Sequence, residues 1–188
     1  MEDFGDITLR LLYPPERISA EVRRLADAIS ADYAGGELLL VVVLKGAFIF
    51  AADLVRCITI PFQLDFVRLS SYSGANSTGE VRVFDDIRIP MTGKDVLIVE
   101  DILDTGLSLR FLVDKIMAKS PKSIKVCALI DKKGRRCTEA AADYVGITCS
   151  DGFLVGYGLD LNEGYRQLPA IYELGAPPFR GGRNDSTM

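Results

Sequence analysis

The sequence predicts an α/β domain with a mainly parallel central sheet flanked by helices, and three observations carry that expectation. Apolar runs rich in β-branched residues recur at 38–44, 95–100 and 123–130. Stretches with helical spacing lie between them, and no repeat or linker divides the chain. Strands covered on both faces read as near-continuous apolar runs, which is the pattern of a parallel sheet.

Each element has its own local cause. Pro14-Pro15 opens a helix, because proline in the first turn gives up an N–H that has no partner there anyway. Ile18, Val22, Leu25 and Ile29 then fall on one helical face, and Gly35-Gly36 ends it. The unbroken apolar run 38–44 predicts a buried strand, 48–55 a helix, and 62–71 another strand. Residues 71–79, Ser-Tyr-Ser-Gly-Ala-Asn-Ser-Thr-Gly, are polar and glycine-containing and predict a loop free to move. Residues 80–89 alternate in the manner of a half-exposed strand. After the turn 90–94 come a strand at 95–100 and a helix at 107–119, with Lys115 and Lys119 near its negative end and Pro121 beyond. Strands are predicted at 123–130, 144–147 and 153–157, and a disordered tail at 176–188, leaving one domain over 1–175.

Composition excludes several functions. With a net charge of −4 the chain lacks the basic balance of a general nucleic-acid binder, although a few local cations still suffice for a small anion. Histidine is absent, so proton transfer falls to carboxylates, lysine or tyrosine, and His triads or His metal sites are ruled out. The four cysteines show no C-x-x-C spacing and read as buried thiols of a reducing compartment. The acidic start Met-Glu-Asp-Phe-Gly-Asp is unlike a signal peptide. The apolar stretch 38–52 is broken by Lys45-Gly46 and falls short of the roughly 20 residues that span a bilayer. These features predict a cytoplasmic protein without nucleic acid or membrane as partner.

The chemistry concentrates at 96–108, Val-Leu-Ile-Val-Glu-Asp-Ile-Leu-Asp-Thr-Gly-Leu-Ser. Ligands of a parallel sheet bind beyond the carboxyl ends of its strands, so Glu100 and Asp101 are expected at a ligand crevice. Carboxylates accept hydrogen bonds from vicinal ribose hydroxyls and hold Mg²⁺ directly or through water. The backbone N–H groups of 104–108 meet the positive end of the next helix and make an anion site, to which Thr105 and Ser108 add hydroxyls. The competing account is a buried strand, an exposed acidic pair and a plain helix cap, since Asp and Thr are common caps. Strand, acids, glycine and hydroxyl in this order favour a sugar-phosphate site. No G-x-x-x-x-G-K-[ST] occurs, and Gly156-Tyr157-Gly158 does not complete a G-x-G-x-x-G, so a nucleoside-triphosphatase or dinucleotide reading is poor.

Val-Glu-Asp-Ile-Leu-Asp-Thr-Gly-Leu-Ser resembles the phosphoribosyl-pyrophosphate (PRPP) signature of the type I phosphoribosyltransferases. Its Glu-Asp-Ile-x-Asp-Thr-Gly form is similar to the 6-oxopurine branch, the hypoxanthine-guanine phosphoribosyltransferases. Four further segments match in order: Leu44-Lys45-Gly46, Ser71-Tyr72, Asp131-Lys132, and Phe153-Leu154-Val155-Gly156-Tyr157-Gly158-Leu159-Asp160 followed by Arg166. The resemblance covers about residues 8–174.

The resemblance implies a small hood subdomain built from the N- and C-terminal segments. It implies a pyrophosphate loop at Lys45 and Gly46 with a cis peptide before Lys45, and a closing lid carrying Ser71 and Tyr72. Glu100 and Asp101 would hold ribose and Mg²⁺, with Asp160 near the base and binding a second Mg²⁺ on the pyrophosphate side. Asp104, Thr105, Gly106, Leu107 and Ser108 would form the PRPP loop, with Asp104 handling the purine N7 proton. Ser108 stands where the family usually has threonine, and Leu107 fills a variable position. Lys132 would donate to the 6-oxo group, Phe153 stack on the base, Leu154 meet its edge through the backbone, and Arg166 contact pyrophosphate. The implied reaction is hypoxanthine or guanine plus PRPP giving IMP or GMP plus pyrophosphate, in a homodimer or homotetramer. Acceptance of xanthine stays open, as does a non-catalytic PRPP-sensing regulator that binds nucleic acid.

Overall fold

The structure, a computed structural model, describes residues 8–71 and 81–175. Its main sheet has six strands: β2 (Leu38–Leu44), β3 (Phe62–Ser71), β4 (Val81–Asp85), β5 (Asp95–Leu103), β6 (Ser123–Lys132) and β7 (Tyr144–Cys149). They lie in the order β4-β3-β2-β5-β6-β7. All neighbouring pairs are parallel except β3 and β4, which run antiparallel.

Alternation along β2 explains how its run of apolar residues is used. Leu38, Leu40 and Val42 share a core with α1 (Pro15–Asp32) and α2 (Phe48–Cys57). Leu39, Val41 and Val43 face the opposite side, with α3 (Leu107–Met117). Each fully buried Leu, Ile or Val here contributes roughly 1.5–3 kcal/mol. The two-sided core therefore fixes the carboxyl ends of β2, β5 and β6 at one edge.

A second, three-stranded antiparallel sheet has the order β1-β9-β8, from β1 (Thr8–Tyr13), β8 (Leu154–Val155) and β9 (Ile171–Gly175). Leu9, Val155 and Leu168 form its small core. Leu154, Tyr157, Leu159 and Ile171 pack instead into the α1–α2 side of the main core. This is the hood, and it brings 154–166 against the loop after β2.

Several predicted boundaries are corrected. The strand expected at 95–100 runs on to Leu103, because β6 also extends to Lys132 and supplies partners: Glu100 opposite Ala128, Ile102 opposite Ile130, Leu103 opposite Asp131. The acids thus lie within the strand. β7 likewise continues past Ile147 to Cys149. The strand expected at 80–89 stops at Asp85; the carboxylate of Asp65 takes the N–H groups of Arg88 and Ile89 and draws that segment out of the ladder. The strand at 153–157 shrinks to 154–155, since Gly156 and Tyr157 adopt positive φ. The helix at 107–119 ends at Met117, in a turn closed by Lys119 and Ser120. β1 and β9 have no counterpart in the local sequence reading. All four cysteines are free, but only Cys127 is fully buried, and Cys137 is exposed because it sits in the loop after β6. No helix among the described residues is long and apolar enough to cross a membrane. Tyr72, most of the expected lid and the expected tail at 176–188 lie outside the described residues.

Candidate active site

The prolonged β5 carries Glu100 and Asp101 near its carboxyl end. Burial raises the Glu100 carboxyl well above its usual range, and the neighbouring charge of Asp101 adds to the shift. Burial likewise lifts Asp101 to about 6, against two backbone hydrogen bonds and the charge of Arg166. Glu100 Oε2 is buried and has no hydrogen-bond partner. Two adjacent desolvated carboxyls with an orphaned oxygen are a site that gains from a cation or from hydroxyl donors.

After Leu103 the chain turns into α3. Gly106 is the residue before the helix, at φ +83°, and no side chain caps the helix. A Cβ at that position would overlap Thr138 Oγ1 and lie 3.2 Å from Ala140 Cβ, so glycine is required twice over, by conformation and by space. Asp104 and Thr105 are therefore not the ordinary helix caps of the competing account; Thr105 Oγ1 takes only a long contact, 3.4 Å, from the Leu107 N–H. Leu107 and Ser108 form the first turn of α3.

Asp104 meets cations from a different element. Its Oδ2 lies 3.8 Å from Lys132 Nζ and 3.5 Å from the Arg135 guanidinium. Its Oδ1 is buried without a partner. Lys132, at the end of β6, is only 5% exposed, unlike an ordinary surface lysine, and its Nζ also lies 3.7 Å from Asp151 Oδ1. Two residues on, Phe153 leaves half its surface open, while Leu154 is buried.

The third part comes from the loop after β2 and the hood. The Leu44–Lys45 peptide is cis. A Cβ on Gly46 would overlap the Asp101 carboxylate, so only glycine lets this backbone lie against the acid. Gly158 packs as closely on the Gly46 carbonyl. Arg166 donates to the Gly158 carbonyl at 2.7 Å and pairs with Asp160 at 2.8 Å, leaving its buried Nε without a partner. Asp160 Oδ2 also accepts the N–H of Glu163. Among the described residues, three of the four buried unpartnered side-chain polar atoms, those of Glu100, Asp104 and Arg166, thus lie here.

Against this geometry, residues 12–162 match the family model described as the phosphoribosyl transferase domain. The chain belongs to that family. It is 43% identical over 174 residues to a hypoxanthine-guanine phosphoribosyltransferase of Aquifex aeolicus, covering 92% of this chain and 98% of the relative. It is 40% identical to the Bacillus subtilis protein of the same name, covering 86% and 91%. The crystal structure of a hypoxanthine phosphoribosyltransferase from Staphylococcus aureus superposes with a TM-score of 0.87 at 36% identity, covering 96% of this chain and all of that one. The fold is the type I phosphoribosyltransferase fold.

Within this phosphoribosyltransferase, contacts join Gly46 to Asp101, Lys45 to Arg166 through Glu163, Arg166 to Asp160, and Lys132 to Asp104. Glu100 and 105–108 adjoin these along the chain, and Phe153 and Leu154 follow Asp151, whose carboxylate also lies near Lys132. Ser71 is the last residue of β3. The sequence reading missed Glu163, whose carboxylate binds both Lys45, at 2.7 Å, and Arg166, at 2.9 Å. The Lys45 hydrogen bond, with that of Arg166, holds the Glu163 carboxyl down at about 2. Its signal was present: an acid between Asp160 and Arg166, in a glycine-containing turn. Arg135 beside Asp104 had no signal, since the loop after β6 looks like an ordinary charged connection.

No cluster of three or more acidic or thiol side chains among the described residues is arranged to hold a metal. The donor set still fits Mg²⁺, which is usually held by one or two carboxylates and completes its shell with water and substrate oxygens. Glu100 and Asp101 are such a pair.

Proposed function

We propose that the chain is a purine-salvage transferase converting hypoxanthine or guanine and PRPP into IMP or GMP and pyrophosphate. The observation that carries the base assignment is the buried Lys132 ammonium beside Asp104, at the mouth of the phosphate loop. An ammonium has only donors. It complements a 6-oxo acceptor and leaves the 6-amino group of adenine facing donors.

Breaking the anomeric C–O bond develops positive charge on the ribose ring and negative charge on pyrophosphate. Lys45 and Arg166 flank the departing group, which exchanges for the Glu163 carboxylate that now joins them. The N–H groups of 104–108 and the hydroxyls of Thr105 and Ser108 hold the 5′-phosphate. Asp104 accepts the purine N7 proton or its hydrogen bond through the free Oδ1, and Phe153 stacks on the base while the Leu154 backbone meets its edge. Mg²⁺ on Glu100 and Asp101 would screen the diphosphate and orient the ribose hydroxyls. A second ion on the pyrophosphate side would draw on Asp160, which is paired here with Arg166. Ser71 and Tyr72 close over the pyrophosphate as a lid.

Exposed Phe66 and Phe84 on neighbouring strands support association into a homodimer or homotetramer, which light scattering tests. The decisive experiment measures steady-state product from hypoxanthine, guanine, xanthine and adenine, each with and without Mg²⁺. Metal-dependent IMP and GMP formation without AMP is expected. AMP as the main product, or no nucleotide from any base, would overturn the assignment.

A further inference from the structure

The loop between β6 and β7 has no role in the account above, yet it holds the back of the phosphate loop. Arg136 is mostly buried, its side chain 18% exposed. Its guanidinium donates from Nε to the Asp104 carbonyl at 2.9 Å and from one terminal nitrogen to the Leu103 carbonyl at 3.0 Å. The same nitrogen pairs with the Asp131 carboxylate, and the other donates to the Ala140 carbonyl. One residue on, the Cys137 N–H donates to the Thr105 carbonyl at 3.1 Å.

Three successive carbonyls of the phosphate loop, at 103, 104 and 105, are thus drawn to one side. In a trans peptide the C=O and the following N–H point in opposite directions. The N–H groups of Asp104, Thr105 and Gly106 must then face away from Arg136. We propose that Arg136 is a positioning residue. Braced by Asp131, it pulls the loop carbonyls back and turns the loop amides toward the 5′-phosphate. It touches neither substrate nor reacting atoms. Asp131 links the two ends of the ligand, because Lys132, the next residue on β6, faces the base.

This rests on the phosphoribosyl reading of the loop, and the test separates the two. The affinities of IMP and inosine, which differ by the 5′-phosphate, are compared by calorimetry for the wild-type chain, Arg136→Gln and Arg136→Lys. Lysine keeps a charge for Asp131 but has no planar fork to reach two carbonyls. The wild-type chain is expected to prefer IMP strongly. Both variants should lose at least tenfold of that preference through weaker IMP binding, with inosine affinity within about twofold. A purely structural defect would weaken both ligands together. Should Arg136→Gln fail to fold, Arg136→Lys decides alone. A folded variant that keeps the wild-type ratio overturns the positioning role, as does parallel loss of both ligands. No preference in the wild-type chain itself overturns the phosphoribosyl reading.

Discussion

Asp104 divides its two oxygens between different tasks. Oδ2 looks toward Lys132 and Arg135, whereas Oδ1 is buried with no partner. A buried acceptor left open costs free energy in the empty site and regains it when a donor arrives. The purine N7–H is that donor in the proposed reaction. Asp104→Asn replaces a carboxylate oxygen by an NH₂ donor and should lower kcat by roughly 10²–10⁴, the usual span of general acid–base catalysis. The dissociation constant for PRPP should stay within a few-fold. Single-turnover rates and equilibrium binding check this, and near-normal turnover refutes the role. Lys132→Met removes the donor to the 6-oxo group while keeping most of the apolar stem. It should cut kcat/KM for hypoxanthine by about 10–100-fold, a charged hydrogen bond's worth, and narrow the gap to adenine, read from initial rates on both bases. Much at this scale was legible in sequence, since residues 99–108 are contiguous and their chemistry can be read from side chains in order. Arg135 was not, because its partner Asp104 lies far away along the chain and meets it only in the fold; Glu163 carried a local signal beside Arg166, but its pairing with Lys45 exists only in the fold.

Elements were legible where local pattern and tertiary demand agree. β2 begins and ends where its apolar run does, β3 spans the expected 62–71, and α1 follows its stripe of Ile18, Val22, Leu25 and Ile29. The misses at β5 and β1 share one cause, which is a distant partner deciding where a strand forms and stops. β5 continues through charged Glu100 and Asp101 because β6 pairs with them, and β1 exists because β9, over 150 residues away, lies beside it. The turn into α3 shows how tightly the joining segments are fitted. Gly106→Ala would place a methyl at φ +83° and against Thr138 Oγ1. Left-handed backbone alone costs about 1 kcal/mol, and the overlap adds to it, so a fall in Tm of roughly 4–10 °C is expected by calorimetry. Adding Thr138→Ala should recover part of that loss by removing the overlap while leaving the backbone strain. No recovery would mean that Thr138 does not limit this position.

For the molecule as a whole, the crevice acids set stability against function. Burial first raises both Glu100 and Asp101 in the free protein; the charge of Asp101 then adds to Glu100, and that of Asp160 to Asp101, which reaches about 6 from an ordinary 3.8. Between those values the folded chain binds more protons than the unfolded one, so this pair lowers stability as pH rises from about 4 to 6. Glu163 and Asp95 act in the opposite sense. Hydrogen bonds from Lys45 and from Lys122 hold them low, so they stabilise above the ordinary carboxylate range and lose that effect only in stronger acid. The two kinds of acid therefore separate by pH window. Asp101→Asn should raise Tm relative to the wild-type chain increasingly from pH 4 to 7, because it removes a carboxylate that must ionise in a desolvated place. Mg²⁺ with PRPP should reverse the order above pH 6 by binding only the wild-type pair, and the affinity for that pair should weaken as pH falls through about 6, where Asp101 takes up its proton. Thermal melts of both proteins across this range, with and without ligand, give all of these signs. A Tm difference that stays constant with pH would mean that Asp101 ionises in the fold as it does in water, and the crevice would then hold no stored preference for a cation.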